Sequence, residues 1–318
     1  MVRWVVKRWA QGDPPAVVRR ARKVFSSPDF LNFLYSHNLS IETVNGKIRG
    51  EWIVPRESHP VDQALLYLHG GGYVSCSPRT HRPITTTLAR LTRRRVFSLD
   101  YRLAPEHKFP AAVDDATAAF LWLVESGVPA EKIALAGDSA GGGLAIATML
   151  RLRKNGLPLP AGAALMSPWV DVTCSANYRN SASCAMFEPP NLLCFAEMYL
   201  DGASPKLPEA SPVLADLHGL PPLLIQASDT ELLMEDAVRL HDQAMSAGVT
   251  STLRIYSRLP HVWTIFAGIL PEAGEALKEV SKFLCELMDG AGNRSDHRII
   301  GPSDHRVTSN PSRSTSSG

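Results

Sequence analysis

From about residue 48 to residue 288 the chain alternates short apolar runs with longer stretches of helical periodicity. That alternation predicts a mostly parallel sheet covered by helices on both faces. Strands are predicted at 64–68, 96–99, 133–136, 163–166, 223–227 and 252–256, where the runs are short and apolar throughout, as in strands buried on both sides. Helices are predicted at 83–93, 111–125, 140–155, 235–247 and 272–288. In the second of these, Ala112, Ala116, Ala119, Phe120 and Leu123 recur at spacings of three and four and make one apolar stripe. Upstream, runs at 41–44 and 48–54 flank Asn45-Gly46, a pair that favours the two-residue hairpin turn whose twist matches that of the strands.

Three segments depart from the alternation. Residues 1–40 carry Trp4, Trp9, Phe25, Phe30, Leu31, Phe33, Leu34 and Tyr35 in a broken helical pattern. An insert at 172–212 holds Phe187, Leu192, Leu193, Phe195 and Tyr199 between proline-rich turns. Together the two are expected to form a lid over a core made of 41–171 and 213–288. The tail, 289–318, is rich in Ser, Gly, Arg and Asn and poor in large apolar residues, so it is expected to be disordered. Its two Ser-Asp-His-Arg copies, at 295–298 and 303–306, read as solvated linker rather than as a metal or anion site.

Composition narrows the function. A chain of 318 residues, 45% hydrophobic, suits one large α/β domain or two modest ones. Its 33 basic residues nearly cancel 31 acidic ones, so no global field would draw in nucleic acid. Cys76, Cys174, Cys184, Cys194 and Cys285 lack both disulfide-scaffold density and zinc-site pairing, and free thiols are expected. Arg3, Lys7 and Arg8 interrupt the start of the chain where a secretory signal would be unbroken and apolar, which makes a cytoplasmic address the default expectation. No apolar run approaches the roughly 18 residues of a membrane span.

The strongest chemical signal is Gly137-Asp138-Ser139-Ala140-Gly141, with a predicted strand before it and a predicted helix after it. A tight strand-to-helix turn projects the serine from the sheet edge, and glycines two residues either side leave room where side chains would collide. The second signal is His69-Gly70-Gly71-Gly72-Tyr73, directly after the strand at 64–68. Composition alone would produce that tetrad in about one such chain in three hundred. A serine attacking a carbonyl creates an oxyanion, and consecutive glycines offer unobstructed backbone N–H donors for it. Gly71 and Gly72, with Ala140, are the expected donors. A phosphate cradle is the alternative, but a Walker loop would continue to Gly-Lys-Ser/Thr, absent here.

These two motifs, with Asp100-Tyr101-Arg102-Leu103-Ala104-Pro105-Glu106 and Ser167-Pro168-Trp169-Val170-Asp171, resemble those of the hormone-sensitive-lipase-like carboxylesterases of the α/β-hydrolase superfamily. The resemblance spans roughly residues 40–288. It implies an α/β-hydrolase fold with an eight-stranded, mostly parallel sheet and a helical cap, and hydrolysis of short- to medium-chain acyl esters with no metal or cofactor. Members often dimerise through the last strand of the sheet, which leaves a homodimer open.

The resemblance also sets the chain order of a catalytic triad as Ser, acid, His. Leu259-Pro260-His261-Val262-Trp263, in the loop after the last predicted strand, matches the family's histidine, so His261 is the expected base for Ser139. Where the family shows Asp-Pro-Leu this chain reads Glu231-Leu232-Leu233, which selects Glu231 as the acid and keeps Asp229 as its competitor. Glu106 is similar to a family residue that braces the glycine loop, and His69 and Asp138 are placed with it as supporting residues. Asp171 likewise looks structural. His81, His107, Cys76 and Cys174 have no partner at informative spacing and are expected to be ordinary core or surface residues. The expected activity is that of a serine carboxylesterase. An amidase or lactonase would use the same triad, and a non-catalytic ligand receptor on the same fold would be expected to lack one of its members.

Overall fold

The computed structural model describes residues 14–24, 37–57, 60–176, 178–186, 188–290 and 299–300. Of the expected lid, Trp4, Trp9, Phe25, Phe30, Leu31, Phe33, Leu34, Tyr35 and Phe187 lie outside the described residues, as do both Ser-Asp-His-Arg copies.

The strands are β1 (Leu39–Val44), β2 (Gly50–Pro55), β3 (Ala64–Leu68), β4 (Arg95–Leu99), β5 (Ile133–Asp138), β6 (Ala163–Met166), β7 (Leu223–Ser228) and β8 (Ser251–Tyr256), with a two-residue β9 (Ile299–Ile300) beside β8. The helices are α1 (Pro14–Val24), α2 (Arg82–Thr92), α3 (Ala111–Glu125), α4 (Ala140–Lys154), α5 (Pro189–Leu200), α6 (Met234–Ser246) and α7 (Pro271–Met288). Sheet order is β1-β2-β4-β3-β5-β6-β7-β8-β9. Pairing is antiparallel for β1 with β2 and for β2 with β4, and parallel from β4 onward. The eight expected strands are therefore present, and β9 adds a short pairing to Leu253 and Arg254 inside the stretch expected to be disordered. Asp289, at the head of that stretch, accepts hydrogen bonds from Gln63 and Arg94.

Burial explains the sheet. Every residue of β3, β5, β6 and β7 is buried, because helices cover both faces. Successive side chains alternate between two cores. Leu66 and Leu68 join α3, α4 and α6 on one face. Leu65 and Tyr67 join α2 and α7 on the other. The predicted stripe of α3 is buried throughout.

The hairpin is corrected. Val44 pairs with Gly50, so five residues connect β1 and β2 where a two-residue turn was expected. The tight turn needs positive φ at both central residues, and neither Asn45 nor Gly46 adopts it. The connection is instead drawn to the core, with Ile48 packed on it and the Arg49 carbonyl accepting the Asp100 N–H. No described helix is long and apolar enough to cross a membrane, and all five cysteines are free thiols.

The insert leaves the sheet after β6 through Ser167–Asp171 and is rooted on two buried carboxylates. Asp171 accepts hydrogen bonds from Thr173, Ser175 and Arg239. Burial alone would raise its carboxyl, and these donors outweigh that and hold it below the usual range. Asp236, in the first turn of α6, accepts the Val170 and Asp171 N–H groups on one oxygen, each at 3.2 Å, while its other oxygen has no partner among the described residues. Burial first, and then the Asp171 carboxylate, push Asp236 up to about 8.

A carboxyl raised in the folded state stays protonated there while the unfolded chain has already lost its proton. Its folded form is therefore penalised increasingly as pH climbs from about 4 to 8. Asp236→Asn is expected to raise the melting midpoint, and by more at pH 8 than at pH 5. Thermal unfolding followed at both pH values checks this, and an equal shift at the two would contradict it.

Candidate active site

The candidate site lies at the carboxyl ends of β3, β5, β7 and β8. Ser139 joins β5 directly to α4 with φ 50° and ψ −122°, a region that a non-glycine residue enters only under constraint. Strain of this kind costs on the order of 1–3 kcal/mol. Four backbone hydrogen bonds oppose it: Ser139 N–H to the Met166 carbonyl at 2.9 Å, and Gly142, Gly143 and Trp169 N–H to the Ser139 carbonyl at 3.0, 3.3 and 2.9 Å. At roughly 0.5–1.5 kcal/mol each, they are of the right size to hold it. The flanking glycines have the expected role. A Cβ on Gly141 would sit 2.0 Å from the Leu68 carbonyl oxygen, and one on Gly137 2.4 Å from that of Gly141.

His261 comes from the loop after β8, and its Nε2 lies 3.0 Å from Ser139 Oγ. On the other side of the ring, Nδ1 lies 2.7 Å from Glu231 Oε2. The second oxygen of Glu231 accepts the Ser228 N–H at 2.7 Å, which orients the carboxylate. Ser139, His261 and Glu231 are all buried. The sequence left two acids open, and the structure brings Glu231 to the imidazole. Asp229 instead accepts the Arg258 N–H at 2.6 Å and the Ser257 hydroxyl at 3.0 Å. Behind His261, Val262 takes φ 52°, unusual for a β-branched residue, and its N–H donates to Ser167 Oγ.

The loop at 69–76 passes beside Ser139. Gly71, Gly72 and Tyr73 have φ of 114°, 63° and 64°, a run that leaves the Gly71 and Gly72 N–H groups with no acceptor among the described residues. The N–H of Ala140, at the start of α4, is in the same condition.

The three supporting residues act differently. Asp138 Oδ1 accepts the Gly70 N–H at 3.0 Å and the Tyr67 hydroxyl at 2.5 Å, and Oδ2 pairs with His81 Nε2 at 3.2 Å. Burial would raise its carboxyl, but the His81 ring and the hydrogen bonds from His81 and Tyr67 outweigh that and hold it low. Asp138 thus ties the glycine loop to the residue before Ser139. His69 is a buried plate, stacked on Tyr101 at 4.2 Å, with its carbonyl accepting the Tyr101 hydroxyl. Burial pushes its imidazole down to about 3, so it stays neutral. Glu106 reaches the loop through Arg22 of α1, a residue the sequence did not single out. Glu106 receives two hydrogen bonds from that guanidinium, which in turn donates to the Val74 and Ala104 carbonyls. Those bonds from Arg22 hold the Glu106 carboxyl at about 2.

His81 corrects the expectation of an ordinary residue, since its ring is a hydrogen-bond partner of Asp138. Its only sequence signal is a place just before a helix that follows the glycine loop, and nothing in the spacing points 57 residues downstream. His81 and Cys76 both line the cavity above Ser139, which has a volume of about 410 Å³. Asp138 lines it too, and its other walls are mainly apolar, with Trp169, Met186, Leu192, Phe195, Val262, Ile265 and Phe266; among the described residues no lysine, arginine or glutamate lines it. A groove of about 390 Å³ between Phe109, Arg151 and Glu209 contains none of the groups above.

Known proteins share the fold that carries this site. Residues 65–265 match the family described as alpha/beta hydrolase fold. The chain is 42% identical to an acetyl-hydrolase of Streptomyces hygroscopicus over 241 residues, which cover 75% of this chain and 80% of the relative. It is 34% identical to an esterase of Acinetobacter venetianus over 243 residues, covering 76% and 80%. Among solved structures, an esterase from the bacterial hormone-sensitive lipase (HSL) family superposes with a TM-score of 0.81 at 38% identity, covering 90% of this chain and 97% of that one. EstE5 soaked with p-nitrophenyl butyrate superposes with a TM-score of 0.77 at 36% identity, covering 88% and 100%.

Proposed function

The chain belongs to the alpha/beta hydrolase fold family, among the hormone-sensitive-lipase-like esterases, and is a carboxylic ester hydrolase; on that premise we propose that it works by two-step acyl transfer on Ser139. Ser139 Oγ attacks the ester carbonyl while His261 Nε2 takes its proton. Glu231 holds the imidazole by Nδ1 and stabilises the imidazolium that forms. The carbonyl oxygen, now an alkoxide, is received by the N–H groups of Gly71, Gly72 and Ala140, donors worth on the order of 10² to 10³ in rate apiece. As the tetrahedral intermediate collapses, the C–O bond to the alcohol breaks and the alcohol leaves with the proton from His261. Water, deprotonated by the same imidazole, then attacks the acyl-enzyme and releases the acid.

The observation that carries this reading is the contact chain Glu231–His261–Ser139, at 2.7 and 3.0 Å, opening onto one cavity. The apolar walls of that cavity favour a neutral acyl group, because a charged one would lose its hydration there, and the Asp138 carboxylate in its lining further disfavours an anionic one. The volume suits a short- to medium-chain ester. The acetyl-hydrolase relative and the butyryl ester soaked into EstE5 support the same range.

Three outcomes follow. Ser139→Ala is expected to lower p-nitrophenyl butyrate turnover by at least about 10⁴-fold while leaving the circular dichroism spectrum unchanged. Retained turnover would remove Ser139 from the role. Glu231→Ala is expected to lower kcat by roughly 10²- to 10⁴-fold and Asp229→Ala by less than about threefold. The reverse ranking in steady-state kinetics would reassign the acid. In a graded panel of p-nitrophenyl esters, kcat/KM is expected to peak between acetyl and octanoyl and to collapse for palmitoyl, and a palmitoyl optimum would overturn the assignment of chain length.

A further inference from the structure

The glycine loop is fastened to the hydrolase core at most of its length. Gly70 is held by Asp138, the Gly71 carbonyl by the Ser75 hydroxyl, and the Tyr73 carbonyl by the Ala104 N–H. Its outermost part, Gly72 and Tyr73, meets side chains of the insert as well as Trp169 of the core, whose ring centroid is 6.0 Å from that of Tyr73. Helix α5 presents Phe195 and Tyr199, one turn apart and therefore on one face. The Phe195 ring lies so close to Gly72 that a Cβ there would come within 3.0 Å of it. The Tyr199 ring lies flat on Tyr73, with centroids 3.8 Å apart and planes 6° from parallel. Tyr73 needs support, because it sits at positive φ immediately after two glycines that do the same. Tyr199 is itself fixed to the core, its carbonyl accepting the Phe109 N–H at 2.7 Å and Phe109 meeting its ring edge-on. The Tyr199 hydroxyl is buried with no hydrogen-bond partner among the described residues, so what the side chain contributes is its flat face. It does not line the cavity.

We propose that Tyr199 is a positioning residue for the oxyanion donors: its ring, delivered by the insert, clamps Tyr73 and so holds the Gly71 and Gly72 N–H groups on the reacting carbonyl. The insert then does more than wall the substrate cavity, since seating α5 completes the oxyanion hole. This inference rests on the reading that Gly71 and Gly72 receive the oxyanion.

The test compares the full-length protein with Y199F and Y199L in two measurements: kcat and KM for p-nitrophenyl butyrate, and Ki for butylboronic acid, whose tetrahedral adduct on Ser139 puts an oxygen where the oxyanion would be. Misplacing donors worth 10² to 10³ each is expected to cost Y199L about tenfold in kcat and a similar factor in boronic acid affinity, with KM within about twofold. Y199F keeps the ring and is expected to retain both. A Y199L protein with kcat and boronic acid affinity both unchanged overturns the proposal. So does a Y199F protein as impaired as Y199L, or a loss confined to KM. Should Y199L fail to fold, Y199M fills the space without a flat face and carries the same expectation. A wild-type protein that hydrolyses esters but does not bind the boronic acid would overturn the oxyanion reading itself. An active, boronate-sensitive wild type with an unaffected Y199L overturns the Tyr199 assignment alone.

Discussion

The close approach of the first turn of α4 to the end of β3 is the constraint on which the site depends. With Cα of Gly141 nearly against the Leu68 carbonyl, no side chain fits at 141, and the serine two residues earlier is forced into its strained turn. The same approach brings the last residue of β5, Asp138, onto Gly70, so that one carboxylate fixes the glycine loop and the residue before the nucleophile. Ser139 and the glycine loop are therefore fastened to one another. Separating them would strand a buried carboxylate, a cost that a structure of this size does not absorb easily.

The proposed base and acid, His261 and Glu231, come from the other half of the sheet, and their placement is a problem of register. β7 and β8 run parallel and adjacent, pairing Ser228 with Tyr256, so the loops that follow them carry Glu231 and His261 to the same height. The local bonds around them serve orientation. Ser228 N–H fixes one oxygen of Glu231, Asp229 accepts the Arg258 N–H just after β8, and Ser167 holds the residue after His261. A hydrogen bond of 3.0 Å between Ser139 and His261 is the summed result of two separately built halves meeting across β6.

The segments outside the sheet close the arrangement from above. Arg22 of α1 grips the far end of the glycine loop with Glu106 as its counter-ion, and α5 lays Phe195 and Tyr199 over the middle. The loop carrying the donors is thus sandwiched between the core and both pieces of added structure.

Much of this was legible in the residues themselves. Apolar runs of five or six residues separated by helical stripes determine a parallel sheet, because such runs can be hidden only between two layers of helix, and the observed strands fall on the predicted ones within two residues. The nucleophile and the glycine loop were readable for the same kind of reason: the chemistry demands absent side chains, and absence is visible as glycine. The Asn45-Gly46 turn misled because a local preference gave way to the pull of Ile48 on the core. The choice of Glu231 over Asp229, the pairing of His81 with Asp138, Arg22 on the glycine loop and Tyr199 on Tyr73 were decided by tertiary structure alone. Each joins groups from separate elements or separates neighbours two residues apart, and a pairing across such gaps is set by strand register and helix packing, which leave no mark in the identity of either partner.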